Sequence, residues 1–394
     1  MTNTRNTTVL ISGASVGGPA LAYWLTRYGF TVTLVERAPG LRAGGQAIDV
    51  RGPALEVADR MGLLADLRAH STAMRGMTMV DGDGNELYRS EEHTLTGGDL
   101  ASPDVEIMRD DLARLLCDAA GTGVEYLFDD SITAVAQDDT GVHVTFEKAP
   151  ARTFDLLVGA DGLHSNVRRL VFGPEEEFIH HLGTYLAVFT APNFLDLDHW
   201  QVFCQAGQFG GGVMSARNNA EARVFVGFES AVPLDYDYRD TAAQKQILAD
   251  VYADAGWEFP HALSYMWDAP DFHFDSMAQI RLDSWSRGRV VLLGDAGYCG
   301  SPLSGQGTSM ALVGAYVLAG ELHAAADHSA AFENYQKELA DYVAANQRLA
   351  LTNKARIEAQ TAAASGDAEA GAVDFQDFGE VTNSLTLKDY GTGS

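Results

Sequence analysis

Basic residues are scarce in this chain, and so are cysteine, proline and long apolar runs. Only 27 lysines and arginines stand against 54 aspartates and glutamates, giving a formal net charge of −27 over 394 residues. A surface of that sign repels nucleic acid and anionic lipid, so neither is expected as a partner. No stretch approaches the roughly 20 uncharged apolar residues that a membrane span needs. The polar opening Met1–Thr8, followed by an apolar run that soon ends in glycine, does not read as a signal peptide. Cys117, Cys204 and Cys299 are odd in number and widely spaced, which suggests neither a disulfide framework nor a zinc site. A reducing cytoplasm fits best, with no metal, and with the chain a monomer or homodimer.

What is present is ordinary for a folded soluble protein. Hydrophobic residues make up 46% and charged residues 21%, and the length suits one large or two intimately packed domains. Thr8–Ser12 (TVLIS) reads as a buried strand, Gly17–Arg27 as a helix stopped at Gly29, and Thr31–Glu36 (TVTLVE) as a second strand. Strand, glycine turn, helix and strand within about 30 residues make a βαβ unit and imply a parallel sheet. A helix over 110–120, short strands over 124–146 and a buried strand over 154–159 follow.

From about 175 to 285 the texture changes to alternating stretches, such as 185–190, 200–205 and 223–228, that read as antiparallel strands. Arg289–Leu293 (RVVLL) returns to the buried parallel pattern. The expected fold is therefore α/β: a Rossmann-like nucleotide-binding domain over 1–174 and 286–328, interrupted by a β-sheet domain over 175–285. A long C-terminal helix over 330–363 and a polar, loosely held tail complete 329–394.

The turn Gly13-Ala-Ser15-Val16-Gly17-Gly18 joins the first strand to the first helix. Gly13 supplies the conformational freedom, Gly18 the close packing, and the helix N-terminus the unpaired N–H groups that a pyrophosphate needs. Ser15 stands where the usual pattern has its middle glycine; it is small and its hydroxyl can donate. Glu36 ends the second strand, where a carboxylate can accept from both ribose hydroxyls. Two later segments also combine glycines with an aspartate after a buried strand. The first is Asp155-Leu-Leu-Val-Gly159-Ala-Asp161-Gly162-Leu-His164-Ser165. The second is Gly294-Asp295-Ala-Gly-Tyr298-Cys299-Gly-Ser301-Pro302-Leu303-Ser-Gly305-Gln306-Gly307-Thr308-Ser309.

In this order and spacing, from about Thr7 to Leu322, the three segments resemble the FAD-dependent aromatic monooxygenases of the p-hydroxybenzoate hydroxylase type. In size and terminal helix the chain is most similar to the tetracycline-inactivating branch. The resemblance implies that the nucleotide-binding domain is a Rossmann-like FAD-binding domain of the glutathione reductase type and the β-sheet domain over 175–285 a substrate domain. It implies that the first segment holds the ADP half of FAD and that Asp161 touches flavin and a visiting NAD(P)H. It implies further that Asp295 binds the ribityl chain, and that Pro302, Gly305, Gln306, Gly307, Thr308 and Ser309 cap the flavin. Arg109 opens a helix where the family has an FAD-contacting arginine. Arg42, followed by Gly44-Gly45-Gln46, matches a segment beside the flavin, and Arg37 lies near the adenosine. Tyr298, Ser301, Ser309 and Gly314 depart from the usual His, Pro, Asn and acidic residue, leaving the polarity of the loop open.

On the substrate side the resemblance points to Gln201, Phe225, Gly227, Pro302 and Leu303. The tetracycline-inactivating branch has His where Phe225 stands, so tetracycline itself is not implied. Phe203, Phe209, Met214 and Phe228 form an aromatic and apolar stripe that suits core as readily as a binding wall. His180 and His181 are expected to be structural, and Cys299 a small filler. The implied chemistry is flavin-borne: NAD(P)H reduces FAD, O₂ adds at C4a, and the hydroperoxide attacks an electron-rich carbon of a small aromatic or polyketide-like molecule. No side chain stands out as a certain catalytic acid or base. Baeyer–Villiger oxygenation, epoxidation, double-bond reduction and a non-enzymatic FAD-binding role stay open as alternatives.

Overall fold

Val9, Leu10 and Ile11 are all fully buried, as expected of a strand covered on both faces. In a computed structural model that describes residues 8–206, 209–364 and 376–391, their strand, Thr8–Ser12, lies between two parallel neighbours. Thr31–Glu36 runs along one side, Val9 opposite Val32 and Ile11 opposite Leu34. Leu156–Gly159 runs along the other, Ser12 opposite Gly159, and is itself paired with Val290–Leu292. Val124–Phe128 and Ser286–Arg287 complete a six-stranded sheet.

Helices Gly17–Arg27 and Gly307–Ala324 pack on one face; the second is apolar all round because it lies between the first helix and the long helix His328–Ala364. A three-stranded meander, Ile132–Asp138, Gly141–Phe146 and Arg152–Phe154, covers the other face through Val142, Val144 and Phe154. This is the Rossmann-like arrangement that the sequence suggests.

A second, seven-stranded sheet follows the order Phe272–Ile280, Ile179–Ala191, Glu221–Glu229, Phe209–Ala216, Trp200–Ala206, Gly76–Val80, Glu86–Ser90. Its last two strands come from the segment read as part of the nucleotide-binding domain. Alternation along Glu221–Glu229 splits the sheet's faces: Val224, Val226 and Phe228 pack under helices Thr241–Val251 and Phe259–Ser264, while Phe225 joins Val188, Phe203 and Met214 on the opposite face. Ala47, Met74 and Met79 pack against that opposite cluster, so this face meets the strand Ala47–Val50, which pairs with Val105–Met108. The stripe noted in the sequence is therefore divided: Phe209 and Phe228 belong to the helix-covered core.

The tail differs from expectation. Residues 365–375 and 392–394 lie outside the described residues, but Gln376–Thr382 is a helix and the segment after it is tied down. Tyr390 donates to Glu321, Tyr316 to the Lys388 carbonyl, and Gln306 to Thr382. No helix among the described residues is long and apolar enough to cross a membrane.

Candidate active site

Four parallel strands end at the same edge of the first sheet, and each end carries one of the chemical motifs. Gly13 follows Thr8–Ser12, Glu36 ends its neighbour, Asp161 follows Leu156–Gly159 and Asp295 follows Val290–Leu292. The crevice beyond such strand ends is where open α/β sheets bind ligands.

Its geometry suits an anion. Gly13 has φ +107°, and a Cβ there would collide with the carbonyl of Ala160. A Cβ on Gly18 would collide with the carbonyl of Gly13. The first helix starts at Val16 with no side-chain cap and no acid in its first turn, so its N–H groups are left for a ligand. Helix Gly307–Ala324 starts in the same way after Gln306, next to Asp295, whose Oδ1 is 3.8 Å from where a Gly307 Cβ would lie. Burial raises the Asp295 carboxyl above the usual range. Two uncapped helix starts flanked by one carboxylate at a strand end fit a dinucleotide with a charged middle and an aromatic end, and FAD has that form.

The individual side chains are engaged as follows. Glu36 accepts from the Ala14 and Ala38 N–H groups, both at 2.9 Å, and so shapes the first turn. Asp161 accepts from Val167 N at 3.1 Å and from the Ser165 and Ser12 hydroxyls, and burial raises its pKa. Ser15 is half-buried, Val16 is buried, and Arg37 is exposed. In the capping loop Pro302 and Gly305 are exposed, Leu303 and Thr308 half-buried, and Gln306 and Ser309 fully buried. Gln306 donates to Thr382 while its Oε1 is buried without a partner. Ser309 is turned to the strand Ala47–Val50, accepting from Arg51 N at 3.0 Å and donating to the Asp49 carbonyl.

The loop Arg42–Gln46 is clamped from both domains. Arg109 donates to the Arg42 and Gly44 carbonyls at 3.0 and 2.8 Å, and its N–H to the Gln46 carbonyl. Asp110 accepts from Gly44 N, Asp271 from Gly45 N, and buried Arg223 donates to the Gly45 carbonyl at 2.8 Å. Burial, with Arg42 beside it, lowers the Arg109 pKa. Arg223 lies in the seven-stranded sheet and Asp271 just before its strand Phe272–Ile280; neither carries a motif, and only the fold brings them here.

A second junction was equally silent in sequence. His164, in the loop that follows Asp161, faces Glu175 through Nδ1 at 2.7 Å and Asp275 through Nε2 at 3.0 Å. Burial pulls its pKa down, but the two carboxylates outweigh that and raise it to about 9. His273, two residues from Asp275 on the same strand, is exposed to solvent. Of the residues expected on the substrate side, Phe225 lies in the apolar face already described. Gln201 is fully buried beneath the short hairpin His93–Thr94/Gly98–Asp99, accepting from Leu95 N at 3.2 Å and donating to the Thr96 hydroxyl. The Gly227 carbonyl accepts from Tyr252, on the helix-covered side. His181 meets the Ser230 carbonyl, and Cys299 is buried with its thiol pushed well up by burial.

The FAD binding domain family matches residues 6–350 of this chain. A flavin-dependent monooxygenase of Legionella longbeachae is 41% identical over 345 residues, covering 87% of this chain and 88% of its own. The chain belongs to this FAD-binding family of flavin-dependent monooxygenases. A Mycobacterium tuberculosis relative, described as uncharacterized, is 56% identical over 384 residues, covering 97% of this monooxygenase and all of its own length. Among solved structures the tetracycline destructase Tet(55) superposes with a TM-score of 0.84 at 38% identity, covering 99% of this chain and 100% of its own.

Proposed function

We propose that this monooxygenase consumes NAD(P)H and places one oxygen atom of O₂ on an electron-rich aromatic or enolic carbon of a small aromatic or polyketide-like substrate. The supporting observation is the apolar face of Val188, Phe203, Met214 and Phe225, which packs against Ala47 beside the strand-end crevice. When bound, FAD supplies the electron transfer and the activation of O₂. The residues' work is to bind, orient and exclude water.

In this reading Glu36 and Arg37 hold the adenosine side, and the turn Gly13, Ser15, Val16 and Gly18 holds the pyrophosphate. Asp161 and Asp295 lie along the chain between the two halves. The loop Pro302–Ser309 and the segment Arg42–Gln46, steadied by Arg109, flank the ring. The positive end of helix Gly307–Ala324 favours negative charge at the edge of the ring it faces. The apolar sheet face keeps water from the reacting centre and sets the attacked carbon in place. No proton transfer is assigned to a side chain. The likeness to a tetracycline destructase supports a fused-ring substrate carrying an enol or phenol, and Phe225 favours contact through a ring face.

The test is NAD(P)H oxidation by the FAD-loaded protein across a panel of rings. Phenols, hydroxypyridines and polycyclic phenols should accelerate it, and benzoate without a hydroxyl should not. A panel in which activated rings do no better than benzoate contradicts the reading.

A further inference from the structure

Arg51 follows the strand Ala47–Val50, is 4% exposed, and touches three segments remote in sequence. One of its terminal nitrogens donates to the Thr96 and Gly97 carbonyls, at 3.2 and 3.0 Å, in the tip of the hairpin that covers Gln201. The same guanidinium pairs with Asp49 at 2.9 Å and reaches Asp104 at 3.6 Å. Its face lies 5.0 Å from the ring of Phe378 in the C-terminal helix Gln376–Thr382. Its backbone N–H donates to Ser309 in the first turn of the capping helix. That C-terminal helix is also fastened to the capping loop, through Gln306 and Thr382 at 2.7 Å.

Three segments remote in sequence thus meet at one residue, two of them on its buried guanidinium and the third on its backbone N–H. A guanidinium suits this position because its planar fork donates in several directions while its face stacks on an aromatic ring, which an ammonium cannot reproduce. The hairpin is short, two residues pairing with two, and Leu95 at its tip is 56% exposed; beneath it Gln201 and Glu106 engage Leu95 and Thr96, while Arg51 takes the Thr96 and Gly97 carbonyls.

We propose that Arg51 is a positioning residue that keeps the 93–99 hairpin and the C-terminal helix closed together over the reacting centre, and so sets how tightly NAD(P)H oxidation is coupled to product. The proposal rests on the monooxygenase reading above. In the coupled reaction NAD(P)H, a proton, O₂ and substrate give NAD(P)⁺, hydroxylated product and water. In the leak NAD(P)H, a proton and O₂ give NAD(P)⁺ and hydrogen peroxide, the same two electrons leaving on both oxygen atoms. Water reaching the centre favours the leak.

The experiment compares holoenzyme carrying Arg51→Met, Arg51→Lys and Phe378→Leu with the parent. Deuterium uptake is read in residues 93–99 and 376–382, and peroxide formed per NAD(P)H is read with the best substrate. Arg51→Met should speed uptake about tenfold or more in both segments, as expected for loss of charge-assisted hydrogen bonds to two carbonyls. It should also raise the peroxide fraction severalfold while FAD stays bound, with Arg51→Lys falling between it and the parent. Phe378→Leu touches only the C-terminal helix, yet it should speed uptake in the hairpin; if Arg51→Met does not fold, this variant decides the matter. Unchanged hairpin uptake in the variants that fold overturns the shared closure. Faster uptake with an unchanged peroxide fraction overturns the role in coupling. If no compound supports coupled turnover, it is the monooxygenase reading that has failed, and deuterium uptake still judges the closure.

Discussion

The hydroxyl of Tyr298 fills the space that a Cβ on Gly314 would need. Tyr335 donates to the Leu292 carbonyl at 3.2 Å, which leaves Tyr298 to donate to Tyr335 at 2.8 Å. Tyr298 and Gly314, both departures from the usual pattern, thus share one space in the core beneath Asp295. Gly314→Ala should destabilise by about 1–3 kcal/mol through overpacking. Tyr298→Phe alone should cost about 1 kcal/mol for the lost hydrogen bond. Urea unfolding of the double variant should show it more stable than the sum of the two costs, by about 1 kcal/mol. Strict additivity would show that the two residues do not share this space.

Glu36 shapes the first turn through Ala14 and Ala38 and stands where a ribose is assigned. Glu36→Ala removes hydrogen bonds to a charged acceptor, each worth about 1.5–3 kcal/mol. Titration of the apoprotein with FAD should show binding weakened by about tenfold or more. Unchanged affinity would move the adenosine elsewhere.

At Ser15 the test is size. If the backbone there passes close to a pyrophosphate, Ser15→Gly is tolerated and Ser15→Val is not. A valine variant that purifies with full flavin occupancy by its absorption spectrum contradicts the placement.

His164 ties the Asp161 loop to the seven-stranded sheet through Asp275, and to Glu175. Its pKa is raised in the folded protein from 6.5 to about 9, so its contribution is fully present below the lower value. As pH rises through the higher value that stability is lost, on the order of 3 kcal/mol. Unfolding free energies measured from pH 6 to 10 should fall more steeply for the parent than for Asp275→Asn. Parallel curves would mean that the bridge carries no linked proton.

Much of this was legible in sequence because it is local. The run Thr8–Ser12, the turn at Gly13, the helix and Glu36 lie within 29 residues, and each element declares itself by period or by a glycine. The glycines and apolar runs marked Asp161 and Asp295 as each following a buried strand, but that the two strands are neighbours is a matter of topology. Other features depend on contacts between distant segments. Gly76–Val80 pairs with Trp200–Ala206, more than a hundred residues away, so nothing nearby marks it as part of the second sheet. Asp271 and Arg223 look like ordinary surface charges until the fold sets them on the Gly45 amide and carbonyl. The tail reads as loose because it is polar, yet Tyr390 and Lys388 both find buried Glu321. Gln201 marks a polar position on an apolar face, but the hairpin that engages its amide has no signature in the sequence.

The central claim is that one atom of O₂ enters the product, and mass spectrometry of products formed under ¹⁸O₂ tests it most directly. With the ring compound that best accelerates NAD(P)H oxidation, the product should be heavier by two mass units than the product formed under ordinary O₂, and unlabelled when the label is carried by water instead. If product continues to form without O₂ and never carries the label, the protein is a flavin reductase or dehydrogenase, and the monooxygenase account of this site is wrong.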